Sequence, residues 1–131
     1  MGRTRVLVAY AEDYRAYGEV IAAGIRILRP QVEVATATPA EVEGEVGRFD
    51  PQVVVCGASA PADPGDVPAW VELPVEPQRP ARVRVGDRRR EAFGLRLEEL
   101  LGIVDEAEAL VRARKGRAGG RGPKGSIPPT S

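Results

Sequence analysis

The chain opens on a short, unbroken apolar run, Val6-Leu7-Val8-Ala9, the pattern of a strand buried on both faces of a parallel sheet. Glu12 and Asp13 follow, where acids suit the positive end of a helix. Tyr14, Tyr17, Ile21, Ile25 and Leu28 then recur at three- and four-residue spacing, predicting a helix that stops before Pro30. Val32, Val34 and Thr36 alternate with Gln31, Glu33 and Ala35, the period of a half-exposed strand. Thr38-Pro39-Ala40-Glu41 is a capping box with proline at the first helical position. It starts a second helix with Val42, Val46 and Phe49 on one stripe, weakened by Gly44 and Gly47. Asp50-Pro51 ends that helix, and Val53-Val54-Val55-Cys56 is a second continuously apolar strand.

This is β-α-β-α-β. Right-handed crossovers place the first strand between the second and third. The alternating strand then falls at the sheet edge and the fully apolar ones inside. Pattern and topology agree on the order 2-1-3, and the predicted class is an α/β, flavodoxin-like three-layer sandwich around a parallel sheet. The second half extends it differently. Residues 58 to 80 are rich in proline and hold no amphipathic helix, so a loop is expected where a third helix would lie. Trp70-Val71-Glu72-Leu73 reads as a fourth strand, with Trp70 in the core or as a lid over the loop-rich side. Arg82 to Val85 and Arg88 to Phe93 flank Gly86-Asp87, a glycine-first turn suited to a tight hairpin. A C-terminal helix follows, with Leu97, Leu100, Leu101, Val104, Ala107 and Val111 on one face. The expected division is one α/β domain over 1–114 and a disordered, Gly/Pro/Arg-rich basic tail over 115–131.

Arg5-Val6-Leu7-Val8-Ala9 and Phe49-Asp50-Pro51-Gln52-Val53-Val54-Val55 together resemble the first half of a response-regulator receiver domain, over roughly residues 4 to 57. A receiver holds Mg²⁺ on an acidic pair after its first strand and carries a phosphoacceptor aspartate after its third. A hydroxyl residue and a lysine end its fourth and fifth strands. Aligned strand for strand, the acidic pair falls on Tyr10 and Ala11 and the acceptor on Gly57. The hydroxyl has no counterpart after Leu73, and both lysines lie in the tail. Sliding the register by two lets Glu12 and Asp13 replace the acidic pair but supplies no acceptor. Glycine has nothing to phosphorylate, so the reaction lacks its nucleophile. The resemblance therefore implies a pseudo-receiver that regulates another protein by contact.

The remaining chemistry is sparse. There is one cysteine, which excludes an internal disulfide, and no histidine, the commonest general base. Cys56, ending an apolar strand with no cationic neighbour to activate it, reads as an inert buried thiol. The crevice at the strand carboxyl ends would be lined by Tyr10, Ala11, Glu12, Asp13, Gly57, Ala58 and Ser59. Glu12 and Asp13 could hold a cation, against their reading as solvated acids at a helix start. Gly57-Ala58-Ser59 could cradle a phosphate, against a plain strand exit, since the lysine and glycine pattern of a P-loop are missing. No catalytic residue, metal or cofactor is assigned.

Nineteen basic and nineteen acidic residues give a net charge of zero, but thirteen basic against nineteen acidic residues precede Arg112, leaving the body at −6 and the tail basic. Arg82, Arg84, Arg88, Arg89 and Arg90 concentrate positive charge on the hairpin. With the last helix they form the expected contact surface for a protein partner, and Leu95, Ile103 and Leu110, left over on that helix, suit a homodimer. The alternative is a nucleic-acid-associated protein using the tail and the hairpin; the tail has no aromatic residue for base stacking. No apolar run approaches the ~20 residues of a bilayer span. The expected location is the cytoplasm, with no membrane partner.

Overall fold

A computed structural model describes residues 3–57 and 61–120, with side chains through Arg114. Strand β1 (Arg5–Ala9) leads through a 3₁₀ turn at Glu12–Tyr14 into helix α1 (Arg15–Leu28). Strand β2 (Glu33–Ala37), helix α2 (Val42–Phe49) and strand β3 (Val53–Cys56) complete the first half. Strand β4 (Ala69–Glu72), the hairpin β5 (Ala81–Val85) and β6 (Arg88–Ala92), and helix α3 (Leu97–Gly120) follow. The sheet has six strands in the order β2-β1-β3-β4-β5-β6. The first four are parallel and the last two antiparallel. The result is a mixed α/β sheet with helices on both faces, and the order 2-1-3 is the one the hydrophobic pattern predicts.

Local chemistry sets the boundaries. Thr38 and Glu41 close the capping box, Glu41 accepting the Thr38 N–H at 2.9 Å. Asp50 stops α2 in a left-handed conformation (φ 54°), and Arg5 holds it there: its Nε donates to the Asp50 carbonyl at 3.2 Å and its Nη2 to the carboxylate at 3.4 Å. Gly86 (φ 60°) turns the hairpin, a conformation that a β-carbon would strain.

Strand alternation divides the core in two. Val6, Val8, Val53, Val55, Val71 and Val83 face α1 and α3, meeting Ile21, Ile25, Leu100, Ile103 and Val104. Leu7, Ala9, Val54, Cys56 and Trp70 face the other way, toward Val42, Val46, Phe49 and Val67. Gly24 lets α1 and α3 touch, since a β-carbon there would lie 2.8 Å from Leu97 Cδ2. Arg29 and Asp105 then tie the two helices through paired bonds of 3.0 and 2.8 Å.

Two expectations change. Helix α3 continues to Gly120, six residues past the expected boundary at 114. Lys115, Arg117 and Ala118 are good helix formers and Gly116, Gly119 and Gly120 are poor ones, so the extension depends on a helix already nucleated by packing. The remainder of the expected tail, 121–131, lies outside the described residues. The α1 stripe is also rotated: Ile21 and Ile25 are buried with Gly18 and Ala22, while Tyr14 and Leu28 are about half exposed.

Among the described residues between β3 and β4 there is no helix, and a helix there would lie on the α2 side. In its place the connecting loop is tied to the sheet by Arg84. This arginine is 5% exposed. Its Nε and Nη2 grip the Asp63 carboxylate, Nη2 also reaches the Val67 carbonyl at 2.6 Å, and Nη1 reaches the Gly86 carbonyl at 2.9 Å. Burial alone would raise the Asp63 pKa, but the hydrogen bonds from Arg84 and Gly65 and the charges of Arg84 and Arg89 outweigh it and hold the carboxyl below its ordinary range. Removing the carboxylate strands a buried guanidinium, so Asp63→Asn should cost about 3 kcal/mol in denaturant unfolding at neutral pH. A depressed folded pKa gives stability above the unfolded value near 4 that is lost as pH falls through the folded one. Wild-type stability should therefore drop more steeply below about pH 4 than that of Asp63→Asn.

Candidate functional site

At the carboxyl ends of the parallel strands, Ala9 and Cys56 are paired neighbours. Tyr10 and Gly57, the next residue on each strand, meet there. Tyr10 is 5% exposed. A β-carbon on Gly57 would lie 3.1 Å from the Tyr10 ring, and one on Gly18 of α1 would lie 3.0 Å from it. The ring thus fills a slot that two glycines open. Its hydroxyl donates to the Leu73 carbonyl just past β4 at 2.7 Å, and its edge meets Tyr17 at 5.2 Å between ring centroids. Tyr10, expected to line a crevice, occupies it.

The other expected crevice residues do not converge. Ala11 accepts a backbone bond from Tyr14, and Glu12 and Asp13 lie exposed on the turn, Glu12 within 3.6 Å of Arg15. Ser59 and Ala58 lie outside the described residues. The hollow beside Tyr10 measures about 200 Å³ and is lined in part by Glu12, Arg15, Glu19 and Glu41. That is smaller than the ~300 Å³ at which ligand pockets begin. No group of three or more potential metal ligands occurs among the described residues. Cys56 is 1% exposed, and burial, with the nearby Glu72 charge, pushes its thiol up to about 12 against the opposing Trp70 hydrogen bond. It is the inert thiol the sequence suggests.

The more open ground lies on the α2 side of β4–β6, which α2 does not reach and the β3–β4 loop covers only in part. A concavity of about 610 Å³ opens there, with Trp70 and Glu72 of β4, Arg82 and Arg84 of β5, and Arg89 and Glu91 of β6 in its lining. The pairings Arg84 with Arg89 and Arg82 with Glu91 put these side chains on one face. Trp70 is 6% exposed and packs as a floor. On the opposite face Arg88 and Arg90 pair with Val85 and Val83 and look toward α3, across a second hollow bounded by Glu106 and Leu110.

The five hairpin arginines therefore have different fates. Arg84 belongs to the interior, a correction to its place on the expected contact surface. A guanidinium with this many carbonyl and carboxylate acceptors can be buried, and sequence alone gives no hint of them. Arg82 leans on Glu91 at 3.8 Å. Arg88, Arg89 and Arg90 are exposed on the free edge strand and make no ion pair among the described residues.

The apolar contact surface expected on α3 also changes. Ile103 is fully buried in the main core, Leu95 is half-buried against it, and Leu110 packs over Gly86. The hairpin curls against α3 and takes the face that the heptad spacing leaves unassigned. Besides Phe93, ahead of α3, and Leu97 at its start, the exposed large apolar side chains lie at the entry to α1 and along it, where Val20 and Ile27 are 71% and 75% exposed. Their spacing from Ala16 and Ala23 is the signal in the sequence that marks them.

No family model, curated protein or solved structure matches this chain.

The Tyr10 plug has a measurable consequence. Burial, with Tyr17 and Cys56 beside it, pushes the Tyr10 phenol well above its ordinary value. A raised folded pKa gives stability that is complete below the unfolded value near 10 and lost as pH rises above it. Tyr10→Phe should cost about 1–2 kcal/mol at neutral pH, because the Leu73 carbonyl loses its donor. It should also flatten the alkaline decline in stability that the wild type shows in denaturant melts between pH 9 and 12 (roughly, around the tyrosine range).

Proposed function

We propose that the chain is a flavodoxin-like, receiver-like binding module that acts by contact, without catalysis or a cofactor, and docks an acidic segment of a partner protein on its arginine edge. The observation that carries this reading is the edge strand β6. It ends the sheet, and among the described residues its outward backbone groups have no neighbouring strand. Arg89 stands on one face of it and Arg88 and Arg90 on the other, all exposed and without ion pairs among the described residues. Such a row repels a second copy of itself and any basic strand. A partner strand carrying acids would meet positive charge on both faces while gaining main-chain hydrogen bonds. The concavity over Trp70 and Arg89 offers room for side chains from that partner.

The receiver-like part of the reading accounts for Tyr10. At the position where the resemblance puts a phosphoacceptor there is glycine, and the tyrosine ring stands in the space an acceptor would need. Regulation by phosphate is replaced by regulation through availability of the partner. A module of this kind works in the cytoplasm, and no helix among the described residues is long and apolar enough to cross a membrane.

Fluorescence anisotropy with a labelled glutamate-rich extended peptide tests the proposal, with a single-stranded oligonucleotide of equal charge run beside it. The peptide should bind, and the combined Arg88→Ala, Arg89→Ala and Arg90→Ala variant should bind it about 10- to 100-fold more weakly, each exposed charge contributing about 0.5–1 kcal/mol. Equal binding by the variant defeats the assignment. Tight binding of the oligonucleotide alone moves the function to nucleic acid.

A further inference from the structure

We infer that a second copy of this chain docks on the outer face of α1, forming a twofold, antiparallel helix pair. This inference uses surfaces separate from the arginine edge. Around α1, Gly18, Ile21, Ala22 and Ile25 are buried against the sheet. Ala16, Val20, Ala23 and Ile27 lie on the opposite side and are exposed. Their 4-3-4 spacing is the seam of a helix pair, with two apolar residues per heptad. A solvated helix needs only one apolar stripe. Here the outward stripe carries Val20 and Ile27 at 71% and 75% exposure, with no polar side chain interrupting it.

The order of sizes selects the arrangement. An antiparallel pair with its axis between Val20 and Ala23 sets Ala16 against the partner's Ile27 and Val20 against the partner's Ala23. Each layer then joins one large and one small side chain, which fills space evenly and lets the backbones approach. A parallel pair would stack alanine on alanine and isoleucine on isoleucine, alternating gaps with crowding.

Charge selects it again. Glu19 and Arg26 flank the stripe on the same side, seven residues apart. Antiparallel pairing brings Glu19 beside the partner's Arg26, twice by symmetry, whereas parallel pairing leaves both without an opposite charge. In the single chain Glu19 accepts from Arg15 Nε at 3.0 Å and Arg26 Nη2 donates to the Val34 carbonyl at 3.1 Å. Both bonds are exposed, and each group retains further hydrogen-bonding capacity.

Sedimentation velocity of the full chain over a concentration series tests this. The wild type should show a reversible monomer–dimer equilibrium. Val20→Glu with Ile27→Glu should weaken it about 100-fold while circular-dichroism melts at concentrations where the wild type is monomeric stay unchanged, since in the single chain both side chains project into solvent. Glu19→Arg or Arg26→Glu alone should weaken it about 3- to 10-fold, and the two together should restore it. Orientation is read separately by disulfide trapping, because the native Cys56 is buried. A chain with Val20→Cys mixed with one carrying Ala23→Cys should give the mixed disulfide in preference to either symmetric one. A wild type that stays monomeric into the millimolar range, because another segment or protein is the true occupant, overturns the inference. So does a dimer that the double glutamate variant leaves intact, or predominance of symmetric disulfides.

Discussion

The fold depends on one buried cation. Parallel strands need a long crossover, and the usual crossover is a helix that covers the sheet it spans. Between β3 and β4 the described residues form a proline-rich loop with no helix or strand of its own. Arg84 supplies the missing order from the next strand, binding the Asp63 carboxylate, the Val67 carbonyl and its own turn at Gly86. One side chain thereby fixes the loop, seats Val67 over Trp70 and joins the parallel half of the sheet to the hairpin. A point attachment covers less surface than a helix. That is why the sheet face beyond Trp70 stays open and why the charges of Arg82 and Arg89 stand at a concavity.

Tyr10 makes the complementary change at the strand ends. In doubly wound sheets the carboxyl ends are where ligands enter, because backbone groups and helix starts converge there. Here two glycines, Gly18 and Gly57, make room for a phenol ring, and the Leu73 carbonyl fixes its hydroxyl. The site becomes core. Filling the strand ends with a ring adds to the packed core and takes up the space a ligand would need there.

Much of the frame was legible in the residues. Continuous apolar runs mark β1 and β3 because both faces of those strands are covered, and the alternation in β2 marks an edge. Thr38, Glu41, Asp50 and Gly86 act through local backbone geometry, so their boundaries can be read without knowing the fold. What could not be read is tertiary. Arg84 looks like its neighbours until Asp63 and Val67 of the preceding loop, with the nearby Gly86 carbonyl, surround it with four acceptor atoms. Ile103 falls off the simplest helical stripe, yet it is buried because α3 lies between α1 and the hairpin and uses two adjoining faces. Tyr10 looks like a rim residue until the slot between Gly18 and Gly57 is seen.

The strand order separates α1 from the hairpin: α1 covers the β1–β2 end and β6 closes the other, four strand spacings or about 19 Å from β1. A molecule doubled through the outer face of α1 would therefore carry its two arginine edges on two separate sheets, with the paired helices between them. On that arrangement, the grip on a target with two suitably spaced acidic segments would be set by effective concentration, with the second contact forming at far lower cost than the first. Spacing along the target then becomes a selectivity ruler, and a weak single contact becomes useful because it can discriminate between targets by their geometry.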